Sequence, residues 1–220
     1  MITPALYAMF AAARASAAPP PPGPSPVPSP PAQVIAHFDG GFTNSGTVGS
    51  YAITDLGGGT TTAQFKFGSA SATGAFGGEA QISPSPALSL SGDWVMDGWV
   101  RDTYMGLRLR HADGNQEWQA FVTPAGSGIS SYDDAGDPIY DVGGSQVLPA
   151  STWTHVEFSR VSGVVRLFVG GVLSASQADT SALDVSTVYI NGETYLDEWR
   201  FINGSGGHTA GFTPPSGPWA

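Results

Sequence analysis

Four sets of side chains in this sequence could do chemistry. The first is the carboxylate pair Asp197-Glu198 in "YLDEWRF". Retaining hydrolysis of a glycosidic bond needs two carboxyl groups about 5 Å apart on one face, which alternate strand positions supply. Neighbouring residues of a strand point to opposite faces, so Asp197 and Glu198 do not make that pair. Glu193 lies too far along, beyond Tyr195. No catalytic residue is assigned. Glu198 and Arg200 share a face and are expected to form structural ion pairs with neighbouring strands. The second set is the acidic run Asp133, Asp134, Asp137 and Asp141. Calcium takes several oxygens from a compact loop, so Asp133, Asp134 and Asp137 are weak metal candidates. Their spacing matches no recognised calcium loop, and Asp-Ala-Gly-Asp-Pro is ordinary turn chemistry. A plain hairpin is expected there, and a capped turn at Asp39 in "HFDG". No cofactor is implied beyond calcium at that loop. The third set is aromatic. A sugar stacks its apolar face on a flat ring while its hydroxyls find polar partners. Tyr104, Trp118, Tyr132 and Tyr140 lie in or near loops and hairpins and are the carbohydrate-binding candidates. The fourth set is Trp153 and His155 in "STWTHVEFSRV", on the strand face opposite Val156 and Phe158. Both faces are partly apolar, as in a strand inside a two-layer sandwich. Trp153 is therefore expected in the core. His155 is expected to be structural, bonded to backbone or to a carboxylate.

The elements that must position these residues are strands. In "GLRLRHADGNQEWQAFV", Leu107 and Leu109 share one face, Asp113-Gly114-Asn115 supplies a turn, and Trp118, Ala120 and Val122 continue on the return. "GISSYDDAGDPIYDV" repeats the pattern around Gly136 and Pro138. Thr154, Val156 and Phe158 alternate with His155 and Glu157. After Ser162-Gly163, Val165, Leu167 and Val169 alternate with Arg166 and Phe168, and Gly170-Gly171 begins another turn. No helical periodicity is sustained after residue 32. Many antiparallel strands at this spacing make a sandwich or jelly roll.

The 220 residues include only 8 Lys and Arg against 18 Asp and Glu, a net charge of −10. The cations are scattered, which argues against nucleic acid and anionic membrane surfaces as partners. With no cysteine, disulfides, cysteine zinc sites and thiol catalysis are excluded. Composition divides the chain into three. Residues 1–18, "MITPALYAMFAAARASAA", form an apolar peptide too short to span a bilayer. Leu6, Tyr7, Met9 and Phe10 are its docking residues. Its alternative reading is a signal peptide cleaved after "ASA". Residues 19–32 are a proline-rich linker whose polyproline II run extends about 40 Å. Residues 33–220 are one β-domain.

"WTHVEFSRVSGVVRLFVGGVL" resembles the laminin G-like signature of the concanavalin A-like lectin and glucanase superfamily. "AHFDG", "FKFGSA" and "GDWVMDGWVR" are similar to that fold's earlier strands. "YLDEWRFINGSGGHTAGFTPPSGPWA" resembles its closing strand and tail in the version found in virion proteins of tailed bacteriophages. The resemblance covers nearly all of 33–220, in order. It implies an all-β jelly-roll sandwich of two antiparallel sheets. It also implies a non-enzymatic virion surface protein, a decoration, fibre or tail-associated adhesin, present in several copies or as a homo-oligomer. Other virion proteins would hold it through residues 1–31, and host-surface polysaccharide would be its ligand. The alternatives are a secreted carbohydrate-binding module and, less favoured, a glycoside hydrolase.

Overall fold

The computed structural model describes residues 32–46, 51–73, 79–84, 87–111, 116–133, 135–191, 194–204 and 207–219. The docking residues Leu6, Tyr7, Met9 and Phe10, the proline run, and Asp134 lie outside them. Among the described residues, sixteen strands follow in chain order. The first six are β1 (Val34–Ala36), β2 (Tyr51–Asp55), β3 (Thr60–Thr61), β4 (Ser71–Thr73), β5 (Glu79–Pro84) and β6 (Leu88–Leu90). Then come β7 (Trp94–Asp102), β8 (Met105–His111), β9 (Glu117–Val122), β10 (Ser127–Tyr132) and β11 (Pro138–Gly144). The last are β12 (Thr154–Val161), β13 (Val164–Val169), β14 (Val172–Ala178), β15 (Leu183–Asn191) and β16 (Thr194–Asn203).

Two eight-stranded sheets result. Sheet A runs β14-β13-β12-β7-β16-β4-β3, with β1 also on β16; sheet B runs β11-β10-β9-β8-β15-β5-β2, with β6 also on β15. Every pairing is antiparallel. The expected jelly-roll sandwich is the fold. No described helix is long and apolar enough to cross a membrane.

The core lies between the sheets and follows strand alternation. Met96, Val156, Phe158, Leu167 and Phe201 reach in from sheet A, and Leu107, Leu109, Trp118, Ile129 and Val188 from sheet B. Trp94 stacks on Trp118 at 5.6 Å and meets Phe158 edge-on at 5.0 Å. Gly98 sits mid-strand because a Cβ there would come within 2.5 Å of the Trp199 ring. Arg160 is buried at the margin of this core. Its guanidinium donates to the carbonyls of Leu90, Gly92 and Ser181 and lies 5.0 Å from the Trp118 ring. A buried cation is tolerated when its donors are met in this way.

Strand β16 departs from simple alternation. Its register against β7 shifts between Asp197 and Arg200, and Glu198 has φ 52°. This is a β-bulge, in which two residues oppose one and the strand re-aims its side chains. Asp197 pairs with Trp99 and Arg200 with Asp97, two positions on one face, although they are three apart on β16.

Candidate functional site

The outer faces of the two sheets are the two places where side chains gather away from the core. On sheet A the outer face is sealed. Residues 207–219 run across it as a strap. The His208 backbone N–H donates to Glu157 Oε1 at 2.8 Å, and its Nδ1 meets Oε2 at 2.5 Å. The His208 ring stacks on Phe212 at 3.6 Å, and Phe212 packs on Phe168. The Phe212 N–H donates to the Gly171 carbonyl; a Cβ on Gly171 would strike the Phe212 carbonyl at 2.1 Å, so this turn must be glycine. At the far end, the Trp219 backbone N–H donates to Glu198 Oε2 at 2.9 Å and its indole N–H to the Glu198 carbonyl. Arg200 lies 3.7 Å from the Trp219 ring. Trp219 also packs on Ala32, Ile35, Val95 and Ile202.

On this outer side four acids are buried: Asp97, Glu157 and Glu198 along the strap, and Asp197 under the Lys66-Phe67 backbone. Arg200 grips Asp97 through two bonds of 2.9 and 2.8 Å. Burial pushes the Asp97 carboxyl up, but Arg200 and His155 more than offset this and hold it at about 2. His37 donates to Glu198 at 2.9 Å. Asp197 accepts the backbone N–H groups of Lys66, Phe67 and Glu198. Burial dominates there, the charge of Glu198 adds to it, and the carboxyl is pushed up to about 6. The bulge therefore overturns the expectation that Asp197 and Glu198 face opposite ways: both take partners on the outer side. They are committed there to backbone amides, to His37 and to the strap. The expected ion pairs of Arg200 and Glu198 run to Asp97 on β7 and to His37 beside β1.

His155 is 1% exposed, among the rings of Trp99, Phe212 and Trp219, with Nε2 3.4 Å from Asp97 Oδ2. It is a structural residue beside a carboxylate. Trp153 is not in the core. It precedes β12 and is half-buried, just ahead of the buried run that begins at Thr154.

The outer face of sheet B is open. Register sets three rows across the strands. One holds Asp141, Ser130, Gln119, Arg108, Tyr189 and Gln81. A second holds Tyr132, Glu117, Arg110 and Thr187. A third holds Gly143, Gly128, Phe121 and Gly106. Glu117 is buried and organises its neighbours: Arg110 Nε donates to Oε2 at 3.3 Å, and the Gln119 amide donates to Oε1. The Tyr189 ring lies 5.3 Å from the Arg108 guanidinium and 5.9 Å from that of Arg110. Phe121 lies down on the sheet because β10 has glycine opposite it; a Cβ on Gly128 would come within 2.8 Å of the ring. Tyr132 and Tyr189 stand three strand spacings and one row apart, about 16 Å, with the polar groups between them.

The four predicted sugar-stacking residues separate by face. Tyr132 is half-buried at the end of β10, beside Glu117. Tyr104 is 37% exposed and precedes Gly106 by two residues. Trp118 is a correction: it is 1% exposed and stacked on Trp94 in the core, so it presents no ring to a ligand. Tyr140 also turns inward, packing on the core with its hydroxyl donating to Asp179 at 3.1 Å; burial and that carboxylate push the hydroxyl up. Its partner strand explains this, since Tyr140 pairs with Ser131 and Ser131 with Trp118, all inward positions. Phe121, Tyr189 and the Arg110-Glu117-Gln119 set were not singled out from sequence. The signal was present in the "LRLRH" and "EWQAF" alternation, where the residues between the core positions are arginine, glutamine and phenylalanine.

The acidic loop is a turn. Asp133 Oδ1 accepts the backbone N–H groups of Ala135 and Asp137. Among the described residues no group of three or more His, Asp or Glu is placed to hold a metal ion. Asp39 caps the N–H groups of Ser69 and Ala70, which holds its carboxyl below the usual range.

No protein-family model matches the sequence, and no curated protein is significantly similar to it. Solved structures share its fold. Domain 4 of AbnA, an extracellular GH43 arabinanase from Geobacillus stearothermophilus solved with arabinotriose, is 20% identical with a TM-score of 0.58, over 79% of this chain and 93% of that one. The binding domain of botulinum neurotoxin DC, solved with rat synaptotagmin II, is 11% identical with a TM-score of 0.55, over 78% of this chain and 48% of that one. Galectin LEC-6 of Caenorhabditis elegans is 13% identical with a TM-score of 0.44, over 58% of this chain and 98% of that one. At these identities the likeness is one of fold, a sandwich of two antiparallel β-sheets.

Proposed function

We propose that this chain is a non-enzymatic glycan-binding display module on the surface of a tailed-phage virion. Residues 1–18 anchor it in the particle, residues 19–32 are its stalk, and the sandwich from residue 33 is its head. The outer face of sheet B receives host-surface polysaccharide. One observation carries this reading: among the described residues, the outer face of sheet B leaves Phe121, Tyr132 and Tyr189 partly exposed beside Arg110 and Gln119. The fold neighbour solved with arabinotriose supports it. So does the place where the chain joins the head. Ala32, the first described residue of the head, packs beside Trp219 on the outer side of sheet A, away from the sheet B face. The phage assignment is supported by the closing-strand resemblance and by the anchor, stalk and head order of the chain.

Two measurements test this. An array of bacterial surface polysaccharides probed with the full chain should show binding without release of reducing ends. In particles, a chain beginning at Gln33 should fold but fail to be incorporated. Reducing ends that vanish in Glu198→Gln would mean an enzyme instead. An intact mass lacking the first 17 or 18 residues would point to a secreted binding module.

A further inference from the structure

We infer that the ligand of the sheet B face is an uncharged glycan, received through a pair of neighbouring hydroxyls by Arg110 and Gln119. This rests on the reading of that face as the glycan site and narrows it. Glu117 is buried, and a buried carboxylate must be met by donors. Arg110 meets one oxygen with Nε. Gln119 meets the other, and only its NH2 group can do so. That bond sets the Gln119 amide with its carbonyl oxygen turned away from Glu117. Arg110 retains N–H donors beyond the one used, since a guanidinium carries five. The two head groups converge on one carboxylate, so a donor and an acceptor stand together at the surface.

A hydroxyl both donates and accepts. Two neighbouring hydroxyls can accept from Arg110 and donate to the Gln119 carbonyl together. A ligand carboxylate has acceptors only; it would face the Gln119 carbonyl and the charge of Glu117. The wider face agrees: among the described residues the two rows hold Arg108 and Arg110 with Asp141 and Glu117, an equal count of cations and acids. The chain as a whole carries −10, which repels a polyanion at long range. Phe121, Tyr132 and Tyr189 bracket the polar pair and supply the rings on which apolar sugar faces stack.

The test is titration of the full chain with two sets of fragments: neutral dextran, β-glucan and arabinan, and acidic polygalacturonate and hyaluronate. At least one neutral set should bind, with acidic fragments at least tenfold weaker. Gln119→Leu, which keeps the bulk and removes the acceptor together with the donor to Glu117, should weaken neutral binding at least tenfold. Should that variant not fold, wild-type amide protection on binding should centre on residues 117–121. Acidic fragments bound as tightly as neutral ones, or neutral binding untouched by Gln119→Leu while Arg110→Ala abolishes it, would overturn the hydroxyl-pair assignment and leave the glycan face standing. No binding of either set, or protection elsewhere on the molecule, would remove both.

Discussion

Every residue of β7 from Trp94 to Val100 and of β12 from Thr154 to Arg160 is buried, whereas on β8 and β9 Arg108, Arg110, Gln119 and Phe121 keep part of their surface in water. The strands alternate alike in both sheets. What differs is what lies above them. On sheet A the outward residues include Asp97, Glu157, Glu198, Arg200 and His155, and the strap of residues 207–219 brings N–H groups and rings down onto them. On sheet B the outward acid Glu117 is answered from its own sheet by Arg110 and Gln119, and nothing among the described residues covers the rest. One face uses its polar groups to hold the molecule shut; the other leaves them partly in water.

Removing the strap is the most drastic way to break this contrast. Deleting residues 207–220 uncovers apolar surface under Phe212 and Trp219 and strips bonds from Glu157 and Glu198. Two large aromatics and three charged hydrogen bonds together are worth about 6 kcal/mol or more. Urea unfolding should shift accordingly, and an unchanged midpoint would mean the strap is not a lock.

Next comes the ion pair beneath it. Asp97→Asn leaves Arg200 under Trp219 without its carboxylate and should cost about 3–5 kcal/mol near neutral pH. The sign with pH follows from the lowered carboxyl. Its contribution is complete above the ordinary value of 3.8 and is lost as pH falls toward 2. Wild type and Asp97→Asn should therefore converge in stability as the solution is acidified through that window; parallel curves would contradict the pair.

Asp197 should behave in the opposite sense and more weakly. Its carboxyl is raised to about 6, so the folded state holds the proton more tightly, and stability falls as pH rises from about 4 to 6. The loss is about 2–3 kcal/mol. Asp197→Asn should lack that component, seen as a flatter stability curve between pH 4 and 6.

The smallest effect on stability belongs to sheet B. Gln119→Leu takes one donor from buried Glu117, whose other oxygen keeps Arg110, and should cost about 1 kcal/mol while weakening glycan binding. A large loss of stability there would mean that sheet B, too, is scaffold.

Much of this was readable along the chain. Leu107 with Leu109, and Val156 with Phe158, mark inward positions by alternation alone, because a strand's side chains must point to opposite faces. The same rule carried Trp118 into the core once its line with Ala120 and Val122 is followed, against its nomination as a sugar-stacking residue. Composition alone determined that the protein has no disulfide or thiol chemistry and carries a strong negative charge. The bulge at Glu198 was not readable: a single residue in left-handed backbone reverses which side the following side chains take, and no local pattern in "LDEWR" announces it. Neither was the pairing of Glu157 with His208, 51 residues apart, or of Glu198 with Trp219. Which outer face is sealed and which is open was decided only in three dimensions. It depends on where a loosely patterned tail comes to rest, and its resting place is set by buried carboxylates contributed from distant strands.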